Sequence, residues 1–509
     1  GYAVDVVEPD TQTTLKARAN IADMADRAGA GAVLSCIDFY DALRASIDDA
    51  VVAIEAVTER LEVKRGVFTA LERSLPATAL LATNTSSLSV NEIAEAVSQP
   101  ERVLGLHFFN PAQLMKLVEI VAGRETSDET IERARAFVQR LDKSAVLAED
   151  TPGFIVNRVA RPFYLQSLRA YSEDVASMED LDRLARGVGF RMGPFELMDL
   201  IGLDVNLATS ESLYEHLDAP RFEPSALQRD YVARGQLGRK TLRGFYDYTA
   251  GLPKPDDSVP SPPQTQNDDE EIVVVGMGGV ADEFVEELEP SYVNVRTFSF
   301  EEESVEDLAG ATVVIDVGDG ATDRTDFIVQ VDEVCPSETI IFVDAYATDV
   351  EALADRVEHP ERIVGYGVLA SLSGQRFIEI VDLVQSNDDT LEMAQELFAA
   401  MGKGVVLVGT APGLYLGRTV GSIVNEAVYV VEERVATPDD VDTAMKLGTN
   451  YPKGPIEWGR EIGGDRIRRI LDRLAESEGR AFGPHRALWV LDVQDESDAR
   501  TVAEAEGAI

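Results

Sequence analysis

The hydrophobic pattern of the first 150 residues alternates between short β-branched runs and longer stretches with helical spacing. The apolar runs predict strands at about 3–7, 51–55, 80–83 and 103–107. Between them, apolar residues three to four positions apart predict helices at 12–28, 60–74 and 90–97. Strands that alternate with helices form parallel sheets covered on both faces. We therefore expect an α/β fold with a doubly wound parallel sheet.

The pattern changes after Pro152, where helical spacing continues to about Tyr248 without further strands. This predicts a separate all-α domain that follows the sheet domain along the chain. Residues 252–271 follow, with five prolines, many polar residues and almost nothing apolar. Such a composition is typical of a linker.

The two sides of this linker carry the same residues at a constant spacing. Pro100-Glu101-Arg102 and Gly105 recur 260 residues later as Pro360-Glu361-Arg362 and Gly365. The same offset relates Glu119 to Glu379, Pro152-Gly153 to Pro412-Gly413, Arg158 to Arg418 and Asp182 to Asp442. With one inserted residue, Gly193-Pro194 becomes Gly454-Pro455 and Asp204 becomes Asp465. A constant offset over more than 80 residues indicates that sheet and helical domain are duplicated in tandem.

Candidate chemistry concentrates between residues 105 and 158. His107 ends an apolar run, so we expect it at the carboxyl end of a strand, where open α/β sheets bind ligands. Glu119 lies in a second β-rich run that could return beside it. Asn157 is expected in the first turns of a helix opened by residues 150–152, a capping pair followed by proline. An imidazole, a carboxylate that orients it and a neutral amide make a proton-transfer site.

The composition limits the partners. Against 46 basic residues stand 91 acidic ones, spread along the whole chain, for a net charge of −45. Such a surface repels nucleic acid. We interpret it as halophile-like, because salt screens the self-repulsion, with a cationic partner as the alternative. No apolar run is long enough to cross a membrane, and the two cysteines lack metal-ligand spacing. We expect a cytoplasmic protein with no membrane contact and no metal.

The nucleotide-binding signals of the two halves differ. Residues 1–8 resemble the second strand of a dinucleotide-binding sheet, ending in the acidic Glu8. We expect the preceding strand and its glycine turn to be missing from the first half. In the second half, the run 272–275 precedes Gly276-x-Gly278-x-x-Ala281, where that strand and turn belong. Two acidic residues follow at once and would repel a pyrophosphate at the helix start.

As a set, the motifs resemble those of the 3-hydroxyacyl-CoA dehydrogenases. The first half contains, in order, Glu59 with Lys64 five residues later, A-T-N-T-S-S-L (82–88), G-L-H-F-F-N-P (105–111), D-T-P-G-F-I-V-N-R (150–158), G-P-F-E-L-M-D-L-I-G-L-D (193–204) and G-R-K-T-x-x-G-F-Y (238–246). The resemblance covers about 1–248 closely and 272–465 more distantly. The whole chain resembles tandem members of the family with a degenerate second copy.

The resemblance implies five segments. They are an NAD-binding Rossmann-like domain (1–149, with the first strand and glycine turn missing), the helical C-terminal domain of the family (150–250), the linker (251–271), a degenerate Rossmann-like domain (272–409) and a second helical domain (410–509).

The resemblance also implies an activity, the NAD-dependent oxidation of an (S)-3-hydroxyacyl-CoA to the 3-oxoacyl-CoA, in fatty-acid β-oxidation or a related acyl-CoA pathway. His107 would be the general base, held by Glu119, while Ser86 and Asn157 would hydrogen-bond the reacting oxygen. Glu8 would meet the adenosine ribose. The other cofactor-binding residues implied are Glu59, Lys64, Asn110 and Lys240. NAD accepts the hydride, so no metal is needed.

Several of these residues also have a purely structural interpretation. Glu119 could be a buried ion-pair partner, and Ser86 could cap a helix. Lys64 could be a solvated residue on a helix face, and Asn157 could serve packing alone.

The second copy departs from the pattern where the chemistry would take place. The positions of Ser86, His107, Asn110 and Asn157 hold, respectively, Tyr346, Gly367, Ala370 and Gly417. Glu379 remains, as an orienting carboxylate with nothing to orient. The helical part keeps A-M-K-L-G-x-x-Y-P-x-G-P (444–455). Because family members pair through their helical domains, we expect an intramolecular pseudo-dimer, with further homo-oligomerisation left open.

Two other functions fit parts of the sequence. A 6-phosphogluconate-type β-hydroxyacid dehydrogenase would rely on a helix-borne lysine rather than a strand-end histidine. A non-catalytic acyl-CoA-binding or scaffold protein would explain the missing glycine turn and the degenerate second copy.

Overall fold

The computed structural model describes residues 2–252, 255–276, 278–299, 303–318, 324–346 and 348–492. The chain forms two compact units, Gly1–Phe154 and Ile155–Ile509. The first unit is the sheet domain of the first copy. The second contains the helical domain of the first copy together with the second copy.

The first unit alternates strands and helices along the chain. Its elements are β1 (Val4–Val7), α1 (Thr11–Arg27), β2 (Ile37–Tyr40), β3 (Val52–Glu55), α2 (Leu61–Ser74), β4 (Leu80–Thr83), α3 (Val90–Ala94), β5 (Val103–Phe108), β6 (Leu117–Ala122), α4 (Asp128–Arg140) and β7 (Ser144–Glu149). Strands β3 to β7 form one sheet in chain order, and β1 pairs with β2 separately. Apolar side chains of β4, β5 and β6 pack against Ala134 and Val138 of α4 to form the core.

The predicted strands of this unit are confirmed to within a residue at each end. The sheet is parallel except that β6 runs antiparallel to β5 and then parallel to β7. This reversal sets the register so that Glu119 lies directly opposite His107.

The second unit begins with the helices of the first copy. They are α5 (Val156–Val159), α6 (Arg161–Ser172), α7 (Met178–Gly187), α8 (Pro194–Ile201), α9 (Leu203–Leu217) and α10 (Ala226–Ala233). The second copy follows with β8 (Asn267–Val275), α11 (Val280–Leu288), β9 (Tyr292–Phe298), β10 (Val313–Asp316), α12 (Thr325–Val334), β11 (Ile340–Asp344), α13 (Val350–Ala354), β12 (Ile363–Gly367), β13 (Phe377–Val381), α14 (Asp388–Ala400), β14 (Gly404–Val408), α15 (Leu414–Glu432), α16 (Pro438–Gly448), α17 (Pro455–Ile462) and α18 (Gly464–Glu478).

The second copy has a seven-stranded sheet in the order β14-β13-β12-β11-β10-β8-β9. It repeats the first sheet, including one antiparallel pair between β12 and β13. Strand β8 lies between β9 and β10, pairing in parallel with both. Among residues 2–252, no strand connects the β1–β2 pair to β3 in the same way.

Part of the predicted linker is ordered. Strand β8 begins at Asn267, inside the segment expected to be irregular. Upstream, the carboxylate of Asp257 accepts two hydrogen bonds of 2.7 Å from Arg186, and its carbonyl accepts one of 2.8 Å from Arg376. The linker is therefore fixed to the first-copy helix α7 and to the start of β13.

The helical domains of the two copies pack together through α6 and α15. Helix α15 is buried along most of its length. Phe190 of the first copy lies with its ring centroid 4.9 Å from that of Tyr451 and 5.7 Å from that of Trp458. The expected contact between helical domains is thus present within one chain.

Candidate active site

His107 and Glu119 form a buried pair at the carboxyl end of β5. The imidazole Nδ1 lies 2.6 Å from Glu119 Oε2, Glu119 is fully buried and His107 is 7% exposed. A carboxylate accepts hydrogen bonds, so Nδ1 carries the proton and Nε2 is left with a lone pair. The pair therefore presents an oriented proton acceptor.

Aromatic rings fix the plane of the imidazole. The ring centroids of Phe109 and Phe154 lie 4.6 and 5.8 Å from that of His107. The amide of Phe108 donates to Asn84 Oδ1 at 2.8 Å, which joins the end of β5 to the turn after β4. Glu119, Phe109 and Phe154 thus contact the histidine, and the Asn84 hydrogen bond fixes the strand end that follows it.

The turn that contains Ser86 is organised by Glu59. Its Oε1 accepts hydrogen bonds from the amides of Ser86 (3.0 Å) and Ser87 (3.2 Å) and from the hydroxyl of Thr85. Partial burial favours the neutral acid, but the Thr85 hydroxyl and the Lys64 ammonium outweigh it and hold the pKa of Glu59 below its ordinary value. Glu59 therefore remains a carboxylate that shapes the β4 turn.

Lys64 lies buried beneath this turn, 1% exposed, which excludes the solvated interpretation. Its ammonium contacts Glu55 Oε1 at 2.8 Å and Glu59 Oε2 at 3.1 Å. Glu55 in turn accepts a hydrogen bond of 2.7 Å from the Thr83 hydroxyl. The lysine thus ties the end of β3 to the end of β4.

Asn157 lies in the first turn of α5, which begins at Val156 rather than at the predicted residues 150–152. Asp150 caps nothing there. Its carboxylate instead accepts hydrogen bonds from Ser89 Oγ (2.7 Å) and from the amide of Asn91 (2.8 Å) at the start of α3. The proline in the predicted cap belongs to a turn that precedes the helix.

The remaining predicted residues lie in different elements. Glu8 follows β1 and accepts a hydrogen bond of 2.8 Å from the amide of Asp10. Asn110 precedes Pro111 in a cis peptide bond just after β5. Lys240 belongs to the second unit, where it is part-exposed and paired with Asp204.

The corresponding position of the second copy is filled by its own side chains. The Tyr346 hydroxyl donates to Glu379 Oε2 at 2.8 Å, and the Tyr415 amide donates to Oε1 at 2.7 Å. A Cβ built on Gly367 would lie 2.6 Å from Tyr346 Cε1, and one on Gly417 would lie 2.9 Å from Cδ1. The Tyr346 ring therefore occupies the space that side chains at both positions would need.

The expectation that Glu379 has nothing to orient is wrong. Its carboxyl is fully buried, and burial raises its pKa from 4.5 to about 7 against the opposing hydrogen bonds from Tyr346, Tyr415 and Leu416. Glu379 therefore fixes the Tyr346 side chain and the first backbone amides of α15 in the second copy.

Three residues beside the first-copy site were not singled out from the sequence: Glu55, Thr83 and Asn84. Each lies at the carboxyl end of β3 or β4, where polar residues directly after buried strands are the available signal. Among the described residues, no group of three His, Cys, Asp or Glu side chains is placed to hold a metal ion. No described helix is both long and apolar enough to cross a membrane.

Comparison with known proteins decides the family. The model of the 3-hydroxyacyl-CoA dehydrogenase NAD binding domain matches residues 1–151 and 289–411, and that of the C-terminal domain matches 153–248 and 413–503. The chain belongs to the 3-hydroxyacyl-CoA dehydrogenase family. It is an NAD-dependent enzyme of that class, built as a tandem of Rossmann-like and helical domains. This membership overrules the 6-phosphogluconate-type and scaffold alternatives.

Individual proteins similar to this chain carry names of the same enzyme class. The chain is 36% identical over 428 residues to the 3-hydroxyadipyl-CoA dehydrogenase of Escherichia coli K12, covering 84% of this chain and 77% of the relative. It is 42% identical over 208 residues to a 3-hydroxybutyryl-CoA dehydrogenase of Bradyrhizobium diazoefficiens, covering 41% and 71%. The crystal structure of 3-hydroxybutyryl-CoA dehydrogenase from Escherichia coli K12 aligns with a TM-score of 0.76 at 32% identity, covering 99% of this chain and 94% of the other.

Proposed function

We propose that the enzyme oxidises (S)-3-hydroxyacyl-CoA to 3-oxoacyl-CoA with His107 as general base. The observation that carries this assignment is the 2.6 Å pair between His107 Nδ1 and Glu119 at a strand's carboxyl end. Oxidising an alcohol requires removal of the hydroxyl proton, and an imidazole with a free Nε2 accepts it near neutral pH. Glu119 stabilises the imidazolium that results, as a buried carboxylate does for a catalytic histidine.

The other site residues position the reacting groups. The side chains of Ser86 and Asn157 hydrogen-bond the substrate oxygen and thereby orient its hydroxyl toward Nε2. We assign Glu59 and Asn110 to one flank of NAD. The buried Lys64 acts there through Glu59, whose carboxylate it contacts and which shapes the turn after β4. Glu8 and Lys240 would contact the cofactor elsewhere. When bound, NAD supplies the hydride acceptor.

The acyl group is the least constrained part of the substrate. Relatives named for 3-hydroxybutyryl-CoA and for 3-hydroxyadipyl-CoA both match this chain. We propose acyl-CoA metabolism, such as fatty-acid β-oxidation, as its setting. NADH absorbance with a panel of (S)-3-hydroxyacyl-CoAs of increasing length, with and without an ω-carboxylate, measures the preference as kcat/KM.

His107→Ala tests the assignment. We expect kcat to fall by roughly 10²–10⁴, the usual contribution of a positioned acid–base group. The Kd for NADH should change little, because the imidazole acts on the substrate hydroxyl. His216→Ala is the control, since His216 is exposed and its Nδ1 lies 2.7 Å from the Ser212 carbonyl in its own helix. A loss of less than about tenfold in His107→Ala would refute the general-base role.

We also propose that the second copy acts as the internal partner of the first, in a pseudo-dimer through α6 and α15. Support comes from the aromatic contact of Phe190 with Tyr451 and Trp458. We place the enzyme in the cytoplasm, in keeping with two free cysteines, Cys36 and Cys335. Cell fractionation followed by activity assay tests the location.

A further inference from the structure

Arg158 follows the candidate catalytic amide Asn157 directly and points into the second copy. Its side chain is 1% exposed. Nε donates to Glu426 Oε1 at 2.6 Å, while Nη1 and Nη2 donate to the two carboxylate oxygens of Glu433 at 2.5 and 3.0 Å. Both acids belong to α15 or the residue that follows it. The residue that follows Asn157 in the first copy is thus bound by two acids of the second copy.

The helix that holds Asn157 needs such support. Helix α5 is four residues long, a single turn. It is separated from α6 by Ala160 alone and forms the first turn of a longer helical stretch; because helix ends fray, tertiary contacts are needed to fix this turn. The planar guanidinium of Arg158 binds two carboxylates in fixed geometry and restrains both position and rotation of this turn.

The duplication supplies a matching cluster at the other copy. Arg418 corresponds to Arg158, and its Nε donates to Gln166 Oε1 at 3.1 Å, where Arg158 uses Glu426. Its Nη1 donates to Glu173, the counterpart of Glu433, at 2.7 Å, and its Nη2 donates to Glu478 at 2.5 Å, so that each arginine binds two acids. The two acids are even similarly exposed, 40% for Glu173 and 41% for Glu433. One difference matters: the residue before Arg418 is Gly417, which has no side chain to position.

We propose that Arg158 is a positioning residue, through which Glu426 and Glu433 of the degenerate copy hold α5 and fix the amide of Asn157 for reaction. This rests on the proposed function, since it assumes that Asn157 binds the reacting oxygen. The second copy then contributes to the chemistry of the first without a catalytic group of its own.

The test compares Arg158→Lys with Arg418→Lys in the full-length enzyme. Lysine keeps the charge but loses the forked contact. Both variants lose similar buried ion pairs, so we expect similar decreases in Tm. Only Arg158→Lys should lower kcat, by about tenfold or more, because a small misplacement of a reacting geometry is costly. KM should change less than kcat. Equal kcat values in the two variants would overturn the proposal.

Milder variants cover the case in which the lysine variants fold poorly. Glu433→Gln weakens the contact with Arg158, and Glu173→Gln weakens the matched contact with Arg418. A fall in kcat for Glu173→Gln as large as that for Glu433→Gln would contradict a role specific to Asn157.

A double-mutant cycle with Asn157→Ala separates positioning from a merely structural effect. If Arg158 acts through Asn157, then Arg158→Lys should lower kcat no further in the Asn157→Ala background. A full additional loss would refute the coupling. His107→Ala, assayed on (S)-3-hydroxybutyryl-CoA in the same experiment, separates this inference from the proposed function. Wild-type activity of His107→Ala would refute the proposed function itself. Loss of activity in His107→Ala, together with additive effects of Arg158→Lys and Asn157→Ala, would refute only this inference.

Discussion

At the scale of single residues, the second copy has exchanged three site positions in a correlated way. Tyr346 replaces the serine and extends its ring across the positions where the histidine and asparagine have become glycine. Its hydroxyl donates a hydrogen bond of 2.8 Å to Glu379 Oε2. Once the tyrosine is in place, any side chain at Gly367 or Gly417 must displace a packed ring.

This steric relation predicts that Gly367→Ala is destabilising. A Cβ 2.6 Å from the Tyr346 ring overpacks the core, for which about 1–3 kcal/mol is typical. In a Tyr346→Ser background the same change should cost much less, because the ring is gone. Thermal unfolding of the four proteins of this cycle measures the coupling, and additive effects would show that the ring is not the obstacle. For the same reason, Gly367→His alone should restore no activity to this copy.

The buried Glu379 predicts a pH-dependent stability. Burial raises its pKa to about 7, so folding favours the protonated acid, and this stability is present at acidic pH and lost as pH rises from about 4.5 through 7. The loss amounts to about 3 kcal/mol by pH 8. Glu379→Gln, which stays neutral, should therefore gain Tm relative to wild type between pH 5 and pH 8.

Asp182, whose pKa burial also raises to about 7, contributes to the same window. Only the difference between variant and wild type is therefore diagnostic of Glu379. Glu392→Gln, at an exposed position, is the control for the charge change itself. A Glu379→Gln difference in Tm that does not grow between pH 5 and pH 8 would count against the pKa assignment.

At the scale of elements, the repeated aspartates explain the repeated Gly-Pro pairs. Asp182 accepts hydrogen bonds from the first amides of α8, and Asp442 does so for α17. A Cβ on Gly193 or Gly454 would lie about 2 Å from the Cγ of these aspartates. Glycine permits the close approach, and the proline after it begins the helix.

We expect Asp182→Ala to destabilise the enzyme more than Asp442→Ala. Both lose a helix cap, which is worth about 1 kcal/mol. Asp182 also accepts a 2.7 Å hydrogen bond from Tyr246, whose hydroxyl would be left without its partner at a further cost of about 1–3 kcal/mol. Thermal or denaturant unfolding gives the ranking, and the reverse order would show that the Tyr246 bond adds nothing.

How well the sequence predicts the structure differs from one element to the next. Strands such as β4 and β5 are continuous apolar runs, and burial on both faces makes them easy to recognise. Strand β2 and the start of α5 were not predicted. The four residues of β2 are only partly buried and contain no continuous apolar run, and α5 begins after a turn whose sequence resembles a helix cap. The contact of His107 with Glu119 was predicted from the β-rich run that contains Glu119 and from the family resemblance, and the structure shows it. The role of Tyr346 was not predicted. The spacing of the sequence shows which residues of the two copies correspond, but it does not show which space a side chain fills.

At the scale of the whole molecule, the second unit joins the first-copy helices to the entire second copy. A protein ending at residue 251 would keep α6 but lose α15, Tyr451 and Trp458. We expect it to expose the apolar surface around Phe163 and Phe190 and to self-associate or aggregate. Size-exclusion chromatography beside the full chain tests this, and a soluble, fully active monomer would show that the second copy serves another purpose.

The net charge of −45 makes a second prediction at this scale. Salt screens repulsion between exposed carboxylates, so lowering KCl from about 2 M to about 0.1 M lengthens the Debye length from a few ångströms to about 10 Å. Because net stability is a small difference between large terms, we expect Tm and activity to fall together. An unchanged Tm in low salt would argue against halophilic adaptation.

The Tyr346 ring also has a kinetic consequence. Two identical subunits that face each other can communicate, so that turnover at one alters affinity at the other. Among the described residues, the buried pair of His107 and Glu119 has no equivalent in the second copy, where Gly367 and Tyr346 occupy the corresponding positions. A rapid-mixing experiment should accordingly yield at most one NADH per polypeptide in the first turnover, and a lone chain should saturate with a Hill coefficient of one.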